Sequence, residues 1–361
     1  MIFQIDNTSH TDIVLVDSDH QYLDTTMWIE PEFSKKQIRK AGESLIGKDE
    51  KIGIDDALII LSNWRGSHAY PLNSVQNSLR YRAKQLDNDY IITQRLKRAS
   101  SIKDKLNRFP DMKLDRIQDI GGCRAILSNT QLVYQLREDI INMQSVNIIK
   151  EYDYIEKPKE SGYRGIHLIS QYCGKQSIFE GLRIEIQIRN KIQHYWATAV
   201  EIIDRFTNQQ LKSGLEDNKW VLFFKLMSLL MTDIEKGKTI NLEYAKQLKN
   251  LENELKVKEK LTNYSVFVNW TENEEKRKGK FLLMLDTNKR TISVEYFNDR
   301  QLLEATKNYA HLEKQFEEKN IDIVLVEAKS IQELKKGYPN YFADSSAFTG
   351  YLSYCINQVS E

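Results

Sequence analysis

Apolar positions recur along this chain in two rhythms, and the switches between them divide it into elements. Arg183, Ile184, Glu185, Ile186, Gln187, Ile188 and Arg189 follow a period of two. That predicts a β-strand with isoleucines on one face and Arg183, Glu185, Gln187 and Arg189 on the other. Four polar or charged side chains on one strand face predict the floor of a polar site. Comparable runs predict strands over Val146–Ile155 and Ile166–Gly174, and another starting near Cys123. Ile38, Ala41, Leu45 and Ile46 stand at helical spacing, with Ser34 to cap the helix, Gly47 to end it, and Lys35, Lys36, Arg39 and Lys40 toward solvent. Helices are also predicted over Asp55–Trp64 and Asn73–Leu86, separated by a polar turn that includes Pro71. Three more follow over Gln131–Met143, Asn190–Phe206 and Trp220–Glu235, and residues 241–260 read as one charged connector helix.

After Leu261 the rhythm changes. Tyr264–Trp270, Phe281–Asp286 and Thr291–Phe297 alternate as strands; Arg300–Lys319 reads as a helix, Ile321–Val326 as a buried strand, and Asp344–Gln358 as a closing helix. The pattern predicts an α+β protein in three stretches: an extension over 1–26 with no assigned role, a first domain over 27–260, and a separate small domain over 261–361. The last stretch has no convergent acid or base pairs, so its expected role is regulatory.

Composition narrows the classes. A chain of 361 residues with 41% apolar side chains can bury two cores. The net charge of +1 means that any nucleic-acid contact must come from local clusters. Cys123, Cys173 and Cys355 have no C-x-x-C spacing, which argues against a structural zinc site and a disulfide framework and points to a reducing cytoplasm. The opening MIFQIDNTSHTD lacks the basic and apolar parts of a signal peptide, and the apolar run Trp220–Met231 is too short to span a bilayer. A soluble protein without a membrane partner is expected; its oligomeric state is left open.

Residues 94–109 concentrate Arg95, Lys97, Arg98, Lys103, Lys105 and Arg108, with Ser101 placed to cap a short helix. A helix N-terminus beside such cations binds phosphate; a solvated basic face is the alternative for a cluster taken alone. Asp119 stands just before Gly121 and Gly122 at a strand entrance, where a lone Asp is ordinary turn chemistry. Glu185, on a strand beside cations, supplies a second carboxylate. Two carboxylates converging next to phosphate-binding cations are what Mg²⁺ takes.

Four ordered stretches, RLKRASSIKDKL (95–106), DIGGCR (119–124), DYIEKPKESGYRGIH (153–167) and EIQIRNKIQHYWA (185–197), resemble the synthetase domain of the RelA/SpoT family, the alarmone synthetases. The resemblance implies a nucleotidyltransferase-like mixed sheet flanked by helices, and transfer of the β,γ-pyrophosphate of ATP to a ribose 3′-hydroxyl. It implies that Arg95, Lys97, Ser101, Lys103 and Arg124 hold ATP, with Lys157 and Lys159 facing phosphates from a loop. Asp119 becomes the Mg²⁺ ligand, and Glu185 the second ligand or the base. Tyr163 stacks the acceptor base, and His167, Gln187 and Arg189 complete the acceptor wall; for His167 a satisfied hydrogen-bonding role is the alternative. Two acceptor-side positions depart from the family pattern. Gly165 replaces the serine of GYRS, and Glu201 stands displaced, with no following His.

Over roughly residues 28–361 the chain resembles a narrower group, the CapRel-type fused toxin–antitoxin members of the toxic small alarmone synthetases. The stretches that carry this are EPEFSKKQIRKAG, NWRGSHAYPLNSVQ, RFPDMKLDRIQDIGGCR and YPNYFADSSAF. This implies a C-terminal α+β pseudo-zinc-finger-like domain that blocks the ATP site with a Tyr-x-x-Tyr element. That element is assigned to Tyr351 and Tyr354 of GYLSYC, although tyrosines three apart on a helix are by spacing alone core packing. The implied acceptor is the 3′ end of tRNA, tracked by Lys35, Lys36 and Arg39, and the implied trigger is a phage capsid protein. The alternatives are a (p)ppGpp synthetase with GDP or GTP as acceptor, and a non-enzymatic module with a decayed site. Retention of Asp119, Glu185 and the surrounding cations speaks against the last.

Overall fold

The computed structural model describes residues 28–49, 51–207, 219–263, 267–269, 278–316 and 321–359, with a short antiparallel pair, β1 (Leu15–Val16) and β2 (Tyr22–Leu23). The rest of the extension over 1–26 lies outside the described residues. Three helices lead: α1 (Lys35–Ser44), α2 (Ile54–Gly66) and α3 (Ala69–Leu86). Ser34 caps α1 reciprocally, its side chain accepting from the Gln37 amide while the Gln37 side chain accepts from the Ser34 amide. Pro71 lies within the first turn of α3 rather than in a connecting turn. Its missing N–H costs nothing there, because the first amides of a helix have no intrahelical partner.

The central stretch runs β3 (Ile91–Leu96), α4 (Ala99–Arg108), β4 (Gly121–Leu127), α5 (Thr130–Ile141), β5 (Val146–Asp153), β6 (Ile166–Tyr172), β7 (Arg183–Asn190) and α6 (Lys191–Thr207). Next come α7 (Lys219–Glu235), α8 (Leu242–Leu255) and α9 (Val257–Asn263). The single connector helix expected over 241–260 is broken at Lys256, which adopts a left-handed conformation at φ 54°. The C-terminal stretch is β8 (Phe267–Asn269), β9 (Gly279–Asp286), β10 (Thr291–Phe297), α10 (Leu302–Gln315), β11 (Ile321–Ala328), α11 (Ile331–Gly337) and α12 (Ser346–Asn357). The remainder of the strand expected over 264–270 lies outside the described residues.

Among the described residues, nine strands form one mixed sheet in the order β5-β6-β7-β4-β3-β11-β9-β10-β8. The alternation of β7 decides what its faces do. Ile184, Ile186 and Ile188 join Leu168, Ala125 and Ile92 in a core closed by Val75 and Leu79 of α3 and Leu136 and Ile140 of α5. The opposite face is left to polar side chains. Gly121 opens β4 because a Cβ there would lie 2.8 Å from Ile184 Cδ1.

The residues after 261, expected to form a separate unit, share both the sheet and a core with those before them. β11 pairs with β9 along its length and meets β3 at the pair Val326–Arg95. The helix α12 then returns to the α6–α9 helices, burying Phe348, Leu352 and Cys355 with Trp196, Phe223, Phe224 and Met227.

Candidate active site

Strand register carries a polar row across the open face of the sheet. Gln187 is paired with His167 on one side and with Arg124 on the other, and Arg124 with Thr93. One step along, Glu185 is paired with Gly122, and Gly122 with Arg95. Arg95, Lys97, Asp119, Arg124, Glu185, Gln187 and Glu201 line a cavity of about 100 Å³ together with Tyr338 and Asn340, which follow α11. The two expected catalytic carboxylates and three of the expected ATP-binding cations are therefore brought together.

Each oxygen of Asp119 holds a lysine: Lys97 Nζ at 2.8 Å and Lys105 Nζ at 2.9 Å. Burial pushes this carboxyl up, but the two ammonium groups outweigh it and hold it below the usual carboxylate range. Glu185 is the end of a directed chain. Arg189 Nε donates to the Tyr163 hydroxyl at 3.1 Å, and the Tyr163 hydroxyl is 2.6 Å from His167 Nε2. His167 Nδ1 lies 2.9 Å from Glu185 Oε1, and Gln187 Nε2 donates to Oε2 at 2.8 Å. Burial raises the Glu185 carboxyl, yet the His167 and Gln187 hydrogen bonds and Lys97 bring it down to about 2. Burial lowers His167 despite Glu185, so the ring is neutral, donating from Nδ1 and accepting at Nε2. Arg124 is lowered to about 10 by burial and then by Arg189. Three cations, Arg95, Lys97 and Arg124, and three carboxylates, Asp119, Glu185 and Glu201, share the cavity lining.

Glu185 also pushes the Asp119 carboxyl upward, which places both carboxylates in one field. Among the described residues no cluster of three or more His, Cys, Asp or Glu could hold a metal by itself. Two carboxylates among cations would fit a Mg²⁺ ion only if most of its oxygen ligands came from nucleotide phosphates and water.

The other expected residues fall in different places. The cap of α4 is Arg98 without a side-chain bond, so Ser101 lies inside the first turn and does not cap it. The first amide of α4, that of Ala99, donates to Glu313 Oε1 on α10 at 3.2 Å, and Glu313 also takes Arg65 at 2.6 Å. Asp322 of β11 pairs with both Arg98 and Arg205. Lys103 is on α4 outside the cavity lining, and Lys157 is exposed. Lys159 Nζ sits over the rings of Tyr154 (4.5 Å) and Tyr163 (5.2 Å), on the side expected to take the acceptor rather than the ATP phosphates. Lys35 and Lys36 are exposed, whereas Arg39 is paired with Asp115 at 2.9 Å.

Tyr351 and Tyr354 are not at the cavity. Tyr351 packs near Tyr195, ring centroids 6.4 Å apart, and Tyr354 is 51% exposed. The tyrosine that lines the cavity is Tyr338, whose hydroxyl donates to the Gln94 carbonyl at 2.6 Å; the buried Tyr341 ring lies 4.5 Å from the Arg205 guanidinium. Sequence reasoning passes over Tyr338, Asn340, Glu313 and Asp322. Only the first carried a signal, since YPNY repeats the Tyr-x-x-Tyr spacing within a turn rather than along a helix.

Residues 94–209 match a family model described as "Region found in RelA / SpoT proteins". GTP pyrophosphokinase YjbM of Bacillus subtilis (strain 168) is 31% identical over 114 residues, covering 30% of this chain and 52% of that protein. GTP pyrophosphokinase YwaC of the same organism is 32% identical over 130 residues, covering 34% and 61%. The chain thus spans between half and two-thirds of the length of these curated relatives. The crystal structure of small alarmone synthetase 1 from Bacillus subtilis, bound to its product pppGpp, aligns with TM-score 0.42 and 23% identity, over 47% of this chain and 90% of that one. Residues 94–209, where both carboxylates and most of the polar row lie, are thus similar to the region found in RelA/SpoT proteins and to these small pyrophosphokinases.

Proposed function

We propose that this chain is a cytoplasmic, ATP-dependent pyrophosphokinase that transfers pyrophosphate to the 3′-hydroxyl of a tRNA CCA end. In this reading it is a toxin that blocks translation during anti-phage abortive infection, silenced by its own C-terminal segment until a phage capsid protein releases it. The observation that carries the reading is the sharing of one cavity by Asp119, Glu185 and the phosphate-side cations with Tyr338 and Asn340. At about 100 Å³ that cavity is too small for a nucleoside triphosphate.

In the transfer the acceptor 3′-oxygen attacks the β-phosphorus of ATP and gives up its proton to Glu185 or solvent, the bond to the α–β bridging oxygen breaks, and AMP leaves. Arg95, Lys97 and Arg124 would neutralise the phosphates, which is most of what such a displacement asks of a protein. Asp119 and Glu185 would hold Mg²⁺, which supplies charge neutralisation between the phosphates. Glu185, held by the His167 and Gln187 hydrogen bonds, would be the second cation ligand or the base that takes the proton of the acceptor hydroxyl. The Tyr163–His167 pair would fix the acceptor side, and the exposed Lys35 and Lys36 would meet tRNA phosphates.

A second reading, pyrophosphate transfer to GDP or GTP, is favoured by the names of the relatives YjbM and YwaC. One experiment separates the two. The chain and its Tyr338→Ala form receive Mg²⁺ and γ-labelled ATP with deacylated tRNA in one tube and GDP plus GTP in another, beside Asp119→Asn. Label on tRNA that is lost with Asp119→Asn and reduced by Lys35→Glu/Lys36→Glu supports the tRNA reading. Label confined to guanosine nucleotides overturns it in favour of the second.

A further inference from the structure

Strand β5 sorts its side chains by charge. Glu151 and Asp153 turn toward α5, where Arg137 and Tyr134 take them at 2.8 and 2.9 Å. Lys150 and Tyr152, and Tyr154 just beyond the strand, fall on the other face by the two-residue period. That face is the catalytic one, since Tyr152 is paired in register with His167, and His167 with Gln187. The polar row therefore runs on from Arg124 through Gln187 and His167 to Tyr152, on the edge strand of the sheet. The C-terminal strands lie at the opposite end.

The rings at this edge form a shelf. Tyr152 and Tyr154 are stacked at 5.7 Å with an interplanar angle of 7°, and Tyr154 meets Tyr163 edge-on at 5.9 Å. Lys150 Nζ lies over Tyr152 at 4.8 Å, and Lys159 bridges Tyr154 and Tyr163. Neither Tyr152 nor Tyr154 belongs to a hydrophobic core among the described residues; both rings are half-buried. Aromatic faces interleaved with cations are how proteins hold unpaired nucleotides, bases on rings and phosphates on the ammonium groups.

We propose that Lys150, Tyr152 and Tyr154 bind the unpaired nucleotides that precede the acceptor ribose, so that the site takes the single-stranded 3′ end of a polynucleotide. This rests on the tRNA reading above and says which part of the substrate the sheet edge meets. A nucleotide stacked on Tyr163 would leave Tyr152, one ring beyond Tyr154, to a neighbouring nucleotide of the same strand.

Fluorescence anisotropy with the full chain tests it, using a 5′-fluorescein ribotetranucleotide ACCA ending in 3′-deoxyadenosine. Unlabelled AMP serves as the single-nucleotide competitor. The tetranucleotide should bind more tightly than AMP. Tyr152→Ala should weaken it about tenfold, Tyr152→Phe should keep it, and Lys150→Ala should flatten the salt dependence. Failure of the unaltered chain to bind the tetranucleotide, or equal affinity in Tyr152→Ala and the unaltered chain, overturns the shelf. The labelling assay tells the two failures apart: label on tRNA with unchanged Tyr152→Ala binding removes only the shelf, whereas label confined to GDP or GTP removes the tRNA reading and the shelf with it.

Discussion

Glu313 of α10 accepts a hydrogen bond from the amide of Ala99, the first residue of α4, although 214 positions separate them in the chain. A carboxylate on a helix N-terminus, with Arg65 against it, occupies the electrostatic place of a phosphate. Asp322 does the same for Arg98 and Arg205. If these acids compete with ATP, Glu313→Gln with Asp322→Asn should raise the affinity of the full chain for ATP at least about tenfold, as charge-assisted contacts are each worth about 1.5–3 kcal/mol. Isothermal titration with ATP measures this; unchanged affinity in a folded double variant removes the competition.

Tyr338 should be the more sensitive silencing residue. Its truncation to Ala removes a buried ring and the bond to the Gln94 carbonyl, about 3–5 kcal/mol against the closed form, enough to carry a 1:99 population past equality. Tyr338→Phe loses only the hydrogen bond, about 1 kcal/mol, and should be partly active. Tyr354→Ala, at an exposed position, should stay dormant. Labelling rates of the three variants decide the order, and activity in Tyr354→Ala alone would return the silencing role to α12.

Gly165 has φ +152°, and a Cβ there would come 3.1 Å from Arg189 Cγ and 3.2 Å from the Tyr163 hydroxyl. Restoring serine, Gly165→Ser, should cost about 1–3 kcal/mol and raise KM for the acceptor by disturbing the Arg189–Tyr163–His167 chain. Urea unfolding and acceptor titration check both effects; an unaltered midpoint would mean the loop adapts without strain.

Buried histidines set the acid limit of the fold. Burial lowers His68 to about 4 against its bond to the Trp64 carbonyl, and lowers His194 to about 3, with Arg124 and Arg189 adding to it. Both stay neutral when folded, while the unfolded chain takes up protons below about 6.5. Stability is therefore full above pH 6.5 and falls as pH drops toward 4, each histidine contributing on the order of 3 kcal/mol by then. Urea midpoints between pH 7.5 and 4.5 should show the slope, and His68→Gln should flatten it; a flat profile in the unaltered chain would contradict neutral burial.

Much of the fold is legible in the sequence because it is written in local periods. The alternation from Arg183 to Arg189 fixes a strand and its polar face, and Ser34 with Gln37 fixes a helix start. The site is legible where motifs stand close in sequence, as for Asp119 and the lysines at 97 and 105. What acts over long separations is not. Nothing near Glu313 or Asp322 announces an arginine more than a hundred residues away, and Pro71 reads as a turn until its place in a first helical turn is seen. Tyr-x-x-Tyr occurs at 338–341 and 351–354 with the same spacing, and tertiary placement alone separates the pair whose first tyrosine lines the cavity from the pair on α12.

The seam between β3 and β11 gives the resting molecule a particular vulnerability. On one side β3 is held by β4 through six residue pairs, and on the other by β11 through the single pair Val326–Arg95. Lifting the C-terminal strands away would break little of that ladder, yet it would turn β3 from an interior strand into a raw edge with unmatched amides and carbonyls. Such an edge captures whatever extended backbone comes near. If the proposed silencing is relieved in this way, release of the cavity and exposure of an adhesive strand would be one event. A molecule opened along this seam would have to find a new neighbour for β3 or close again.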